Sequence, residues 1–366
     1  MYIYIANILL STIFFKLSDY FRSRICLTIA VLLPVSVAGL RDTWIGTDIA
    51  VYAADTYSHA ASSSSFFALL SQFSNQPPGF LLLTWIVSRL GQNLFWVYLA
   101  TLQLICIIPI YITLKYLVGK YTWLGMCAYL ILIFPSSLNM MKQCIAVCIV
   151  FSSLIFIKKR NFKLFLLTIL LAFTMHQTAI LFIVIYPLYL YIGSQKIDKV
   201  IKYLSLGALT FIFIFSLIIY YREFITILAD TRDTYTYIAD RMNSNTFNQT
   251  NLLILLYMII LHLFFIREGN YKKNNITGLF FTAEYLSILG WCAEFLSLIA
   301  AGLSRIGLYG QIFNCLYLVL LAKILPKRTA IILQSIYVIL ALYTSFHLII
   351  NGQNQIYPYS SRLLGI

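Results

Sequence analysis

Apolar runs of roughly 12 to 25 residues recur along the whole chain, separated by short polar breaks that hold most of its Lys and Arg residues. Of the 366 residues, 61% are hydrophobic and only 10% are charged, and mean hydropathy is +0.86. This is the profile of an all-α polytopic integral membrane protein. No hydrophilic stretch is long enough for a separate soluble domain, so residues 1–366 read as a single integral membrane domain. Spans are expected near 2–15, 25–40, 94–114, 121–135, 143–157, 164–175, 177–193, 203–221, 251–266, 276–300, 306–325 and 329–350, about 12 transmembrane helices. The first run, MYIYIANILLSTIFF, lacks a basic start and a small-residue cleavage site. It reads as a retained span and not as a removable signal peptide.

Net charge is +14, but the cations form short clusters between apolar runs, with no basic face interleaved with aromatics. Nucleic acid is therefore excluded as a partner, and the charge reads as topology and lipid contact. Alternating sides along the expected spans places 18 of the 26 Lys and Arg residues on one side, among them Lys16, Lys115, Lys120, Lys158 and Lys159. That side is expected to be cytoplasmic, with both termini facing outward. The segment 77–91 looks like a span, but counting it as one would turn the KKRNFK cluster outward. It is read instead as an amphipathic or re-entrant segment within a large outer loop, 41–93. A second outer loop covers 222–250. The seven cysteines form no CxxC and no His/Cys ligand set, so neither a disulfide framework, a metal nor a cofactor is expected.

With the sides assigned, the unusual polar residues fall on the outer face. GLRDTWIGTDIAVY, residues 39–52, brings Arg41, Asp48 and Tyr52 directly after a span. Asn139, Lys142 and Gln143 lie in one outer turn and His176 in the next. Arg241 lies in the second long loop, and Arg305 and Tyr309 flank a late span. Each has a plain explanation: arginines snorkel, a histidine in a helical hairpin hydrogen-bonds, and Asp48 caps a short helix. Together, three cations, carboxylates and a histidine on one side fit a shared water-filled cavity. Cations at a membrane face suit a lipid-linked phosphate or diphosphate, an acid or imidazole suits deprotonation of a hydroxyl, and tyrosines suit sugar rings. There is no P-loop and no dinucleotide glycine fingerprint, which fits a lipid-borne donor on the outer face.

The runs GLRDTWIGTDIAVY, QPPGF, NMMKQCIAVCI, KKRNFKLFLL, FTMHQTAIL and RIGLYGQIF, in that order, resemble the EpsG-like branch of the Wzy-type O-antigen, capsule and exopolysaccharide polymerases. The resemblance covers roughly residues 35 to 320 and implies a fold like that of GT-C-type membrane glycosyltransferases. It also implies a bacterial inner-membrane enzyme whose active site faces the periplasm or outside. Such an enzyme transfers a growing glycan from undecaprenyl diphosphate to a lipid-linked oligosaccharide repeat unit. Its partners are that repeat unit, the polymer, membrane lipid and a chain-length regulator. Catalytic roles then fall to Asp48, His176, Arg41 and Arg305, and substrate binding to Lys142, Gln143, Tyr52, Asn139, Tyr309 and Arg241. Lys142 stands where the family has arginine. It keeps the charge without the bidentate fork. Gln76 replaces an expected acid.

Two other activities fit the hydropathy. A flippase or exporter of the same lipid-linked sugar predicts internal repeats and charges through the bilayer depth, and only Glu284 lies deep. A membrane acyltransferase predicts a cytoplasmic donor, opposite to where His176 is expected.

Overall fold

The computed structural model describes residues 1–194, 249–268, 277–296 and 303–366. Every regular element among them is helical. The chain forms two compact units. The first comprises Met1–Tyr186 with Leu318–Leu320 and Ala341–Ile366, and the second Pro187–Tyr317 with Leu321–Leu340.

In the first unit, α1 (Tyr2–Phe21) and α2 (Arg24–Gly39) form a hairpin turned by Arg22 in the left-handed region, φ 53°. The Ser23 hydroxyl accepts from the Cys26 N–H at 3.3 Å and starts α2. α2 crosses α6 (Phe95–Val118) at Gly39, where a Cβ would stand 2.8 Å from Ala100 Cβ and 3.0 Å from the Trp96 carbonyl oxygen. Only a glycine lets the two backbones approach this closely.

Gly119, at φ 66°, ends α6 and turns the chain into α7 (Thr122–Leu132). Asp19 at the foot of α1 secures this turn from both sides: Lys115 Nζ donates to it at 2.7 Å and the Trp123 N–H at 3.1 Å. Lys16 lies over the Trp123 ring, and Lys158 and Lys159 lie over the Tyr116 ring. Lysines from three of the expected cytoplasmic connections therefore gather at one end of the unit. Tyr4 marks the other end, about 22 Å away by helical rise along α1. There its hydroxyl donates to the Ile356 carbonyl at 2.5 Å.

At that second end the expected outer loop 41–93 is itself helical. After a π-helical turn at Ile49–Ala53 come α3 (Ala54–Ser62), α4 (Phe66–Gln72) and α5 (Pro78–Ser88). They pack around Ala60, Leu69 and Leu81, with Phe66 and Trp85 against them. α3 and α4 are too short to leave a span-length apolar signal, so hydropathy alone reads them as loop. The 11 residues of α5 rise about 16 Å, short of a hydrocarbon core of about 30 Å.

The rest of the first unit is α8 (Phe134–Ser137), α9 (Met141–Ser152), α10 (Leu154–Lys158), α11 (Phe162–Met175) and a 3-10 stretch at Gln177–Val184. α12 (Ile185–Gly193) passes from the first unit into the second. Then come α13 (Gln249–Glu268), α14 (Thr277–Leu296), α15 (Leu303–Gln311), α16 (Asn314–Ile324) and α17 (Lys327–Ile350). α14 and α15 cross at Gly290, Gly307 and Gly310. A Cβ on Gly290 would lie 2.5 Å from the Gln311 nitrogen, and one on Gly310 2.5 Å from the Leu286 oxygen.

Among the described residues, four helical stretches are long and apolar enough to cross a membrane: Phe95–Leu132, Met141–Lys158, Leu303–Ile324 and Lys327–Ile350. Five further helical stretches are apolar but shorter. The expected span at 203–221 and most of the expected loop at 222–250 lie outside the described residues.

Candidate active site

The first unit assembles a polar cluster at the end opposite Lys16, Lys115, Lys158 and Lys159. Gly46, at φ 87°, turns the chain so that Thr47 and Asp48 face the turn between α8 and α9. A side chain at Gly46 would run into the Leu138 carbonyl oxygen at 2.5 Å, so glycine is required both for conformation and for space. Asn139 receives this segment: its Oδ1 accepts from the Asp48 N–H at 3.0 Å and from the Thr47 hydroxyl at 3.1 Å. The Asp48 side chain makes no cap bond to the helical turn that follows it. Its carboxylate instead accepts from the Tyr52 hydroxyl at 2.7 Å.

Tyr52 is the centre of the cluster. Its ring packs edge-on against Phe80 of α5, with centroids 5.7 Å apart, and lies under the Lys142 ammonium at 3.6 Å from Nζ to centroid. Lys142 Nζ also donates to Gln76 Oε1 at 2.6 Å. Burial, and then the Asp48 carboxylate, hold the Tyr52 hydroxyl well above the ordinary tyrosine pKa, so it remains a donor to Asp48. The cluster thus aligns an ammonium, an aromatic face, a phenol and a carboxylate. Tyr52 is buried, whereas Asp48 and Lys142 stay partly open to solvent.

Arg41 lies beneath this cluster and is only 5% exposed. Its guanidinium donates through Nε to the Ile45 carbonyl at 3.3 Å, through Nη1 to that of Ala38, and through Nη2 to that of Leu138 at 2.9 Å. Burial lowers its pKa to about 10, which leaves it charged at neutral pH. In this arrangement Arg41 ties the end of α2 to the turn that carries Asn139. Its hydrogen bonds run to backbone carbonyls, and the diphosphate contact read from the sequence stays a proposal.

His176 ends α11 in extended conformation, with Nδ1 2.7 Å from the Thr178 hydroxyl. Its turn adjoins the cluster through α5: a Cβ on Gly79 would stand 2.3 Å from Thr174 Oγ1. The QPPGF run therefore joins Lys142, through Gln76, to the His176 turn, through Gly79. Gln143 is buried in α9 beside Lys142.

Arg305 and Tyr309 belong to the second unit, one helical turn apart on α15, with Arg305 exposed and Tyr309 fully buried. Arg241 lies outside the described residues. The second unit also holds acids within its helices. Glu284 pairs with His262 Nδ1 at 2.8 Å, and Glu294 accepts from Asn251 at 3.5 Å and Gln311 at 3.4 Å.

Residues 354–362 of the first unit, which sequence reasoning did not single out, form a strap over the same end. The Gln355 carbonyl accepts from the Gly46 N–H at 2.9 Å, and the Ser361 hydroxyl donates to the Leu40 carbonyl at 2.5 Å. Asp42 accepts from the Ser360 hydroxyl and from the Arg362 N–H, the latter at 2.9 Å. These bonds hold its carboxyl below the usual carboxylate range. The only signals for this strap were Asp42 itself and a run of small polar residues.

Helices of this length and hydropathy, with one polar end, define a membrane-embedded, all-α protein. The model of the EpsG family matches residues 24–361, and the chain belongs to that family. No curated protein and no solved structure matches it.

Proposed function

We propose that this protein is a membrane glycosyltransferase that polymerises a surface glycan. It transfers the growing chain from undecaprenyl diphosphate to a lipid-linked repeat unit at the periplasmic or outer face of the inner membrane. The product is an O-antigen, capsule or exopolysaccharide. The observation that carries this is the Asp48–Tyr52–Lys142 cluster, closed by Asn139 and Gln76 at the end of the unit opposite Lys16, Lys115, Lys158 and Lys159. By the charge rule that end faces outward.

In the reaction, a hydroxyl of the repeat unit attacks the anomeric carbon of the donor. The bond from that carbon to the diphosphate oxygen breaks, and the hydroxyl proton passes to a base. Asp48 fits the base best, because it shares a cluster with a fixed cation and is reachable from solvent. His176, on the adjoining turn, is the competing base. Lys142 supplies positive charge as the diphosphate leaves. As a point charge above an aromatic ring it acts through its field, without the bidentate fork of arginine. Arg305 and Arg241 are further cations for the lipid diphosphate.

The test is reconstitution in proteoliposomes with the native lipid-linked repeat unit. The wild type is expected to make a ladder of polymer. Asp48→Asn keeps an acceptor for Tyr52 and should lower turnover about 10²- to 10⁴-fold while the protein melts as the wild type does. A wild type that makes no polymer, yet moves the repeat unit across the bilayer, would establish a flippase instead.

A further inference from the structure

Beside the cluster, the first unit contains a cavity of about 270 Å³ for which the proposed chemistry has so far no use. Its walls come from Asp42 and Trp44 on the segment after α2, from Asn93, Phe95 and Trp96 at the start of α6, and from Arg362 on the strap. We propose that this cavity is a sugar-binding subsite, holding one glycosyl residue of the substrate glycan next to the Asp48 cluster. The proposal rests on the polymerase reading and names part of the substrate site.

Three observations support it. First, the two indoles are open: Trp44 is 49% and Trp96 42% exposed. Both border the cavity, and an open aromatic face is the usual platform for the C–H face of a pyranose. Second, the polar groups suit hydroxyls that both donate and accept. Asp42 is an ionised acceptor, and Arg362 and Asn93 bring donors. Third, the walls are rigid. Gly39 locks α2 against the Trp96 turn of α6, and Arg41 fixes the base of the segment that carries Trp44. A preformed cavity binds without a large ordering cost.

Size and place narrow the ligand. A volume just below the range of about 300–1,000 Å³ typical of whole-ligand pockets suits one sugar ring and not a repeat unit. The segment that lines the cavity at Arg41–Trp44 continues in sequence to Asp48, which links the cavity to the segment carrying the proposed base.

The test uses the full-length protein in phospholipid nanodiscs. The probe is the lipid-free repeat-unit oligosaccharide, and binding is read by saturation-transfer NMR, which needs no turnover. Wild type should bind. Trp44→Ala and Trp96→Ala should each weaken binding at least tenfold, and Trp44→Phe and Trp96→Phe should restore most of it. In the polymerisation assay the alanine variants should raise the acceptor KM about tenfold with kcat within twofold. Absence of binding, or binding unchanged in both alanine variants, overturns the subsite even if polymer is made. Quenching of both indoles by brominated phospholipid, with no protection by the oligosaccharide, also overturns it and makes them interface anchors. Oligosaccharide binding in a wild type that forms no polymer would instead sink the polymerase reading and leave the subsite standing.

Discussion

The two units handle buried charge in opposite ways. In the first, Arg41 is almost fully buried, yet carbonyls of Ala38, Ile45 and Leu138 meet its guanidinium. The neighbouring Asp48 and Lys142 are each held by defined partners and face solvent in part. In the second, Glu284 is fully buried with His262 on one oxygen, while its other oxygen, Asn251 Oδ1, the Ser287 hydroxyl and the Tyr317 hydroxyl make no hydrogen bond. Buried polar atoms without protein partners are normally met by internal water. The difference separates a polar corner whose charged groups are each held by defined partners from a polar interior in the helices that cross at Gly290.

The largest expected effect comes from breaking the first pattern. Arg41→Ala strands three buried carbonyls, each worth about 1–3 kcal/mol. Its melting temperature in detergent should fall by many degrees, and no polymer should form. A variant that melts like the wild type but makes no polymer would instead establish Arg41 as a substrate contact. Next comes Lys142. Lys142→Met should cut turnover about 100-fold, in the range of a lost electrostatic contact in a transition state. Lys142→Arg should recover only part of this, because the wider guanidinium does not fit the cradle between Tyr52 and Gln76. Full recovery would mean that phosphate is bound directly, and that the cradle is incidental.

Glu284→Gln tests the second unit. An amide still offers His262 a partner, so melting should shift little and the polymer ladder should stay close to wild type. Loss of polymer would give that buried interior a part in the chemistry, beyond the proposed Arg305 cation, and erase the distinction. The smallest effect concerns pH. The folded pKa of Asp42 lies below its unfolded value of about 3.9. Its contribution to holding the strap is therefore constant at neutral and mildly acidic pH, and fades only as pH falls below about 4. The protection factor against hydrogen exchange at residues 360–362, corrected for the intrinsic pH dependence of exchange, should stay flat from about pH 7 to about 5 and should fall at neutral pH in Asp42→Asn.

Much of this was legible in the sequence, for identifiable reasons. Hydropathy located α1, α2, α6 and α17 because long apolar runs have few alternatives. The order of short motifs brought Asp48, Asn139, Lys142 and His176 into one neighbourhood, and Gln76 and Gly79 were seen as part of it. The helices at 54–72 were not legible, because their stability comes from a small cluster shared with α5, the apolar segment that already stood out in sequence. Neither were the carbonyl partners of Arg41. A charged residue at a span end looks the same in sequence whether it reaches for phosphate or for backbone carbonyls, one of them 97 positions away. The strap was hidden because serine and glutamine carry no periodic signal, and their partners lie more than three hundred positions upstream.

That separation also bears on how the protein is made. Asp42 and Ser360 are 318 residues apart. At about 5–20 residues per second, the segment carrying Asp48 emerges from the ribosome on the order of tens of seconds before its strap. During that interval the first helices can already be in the bilayer, with the polar corner uncovered. The corner is thus among the first parts of the protein to be synthesised and among the last to be locked.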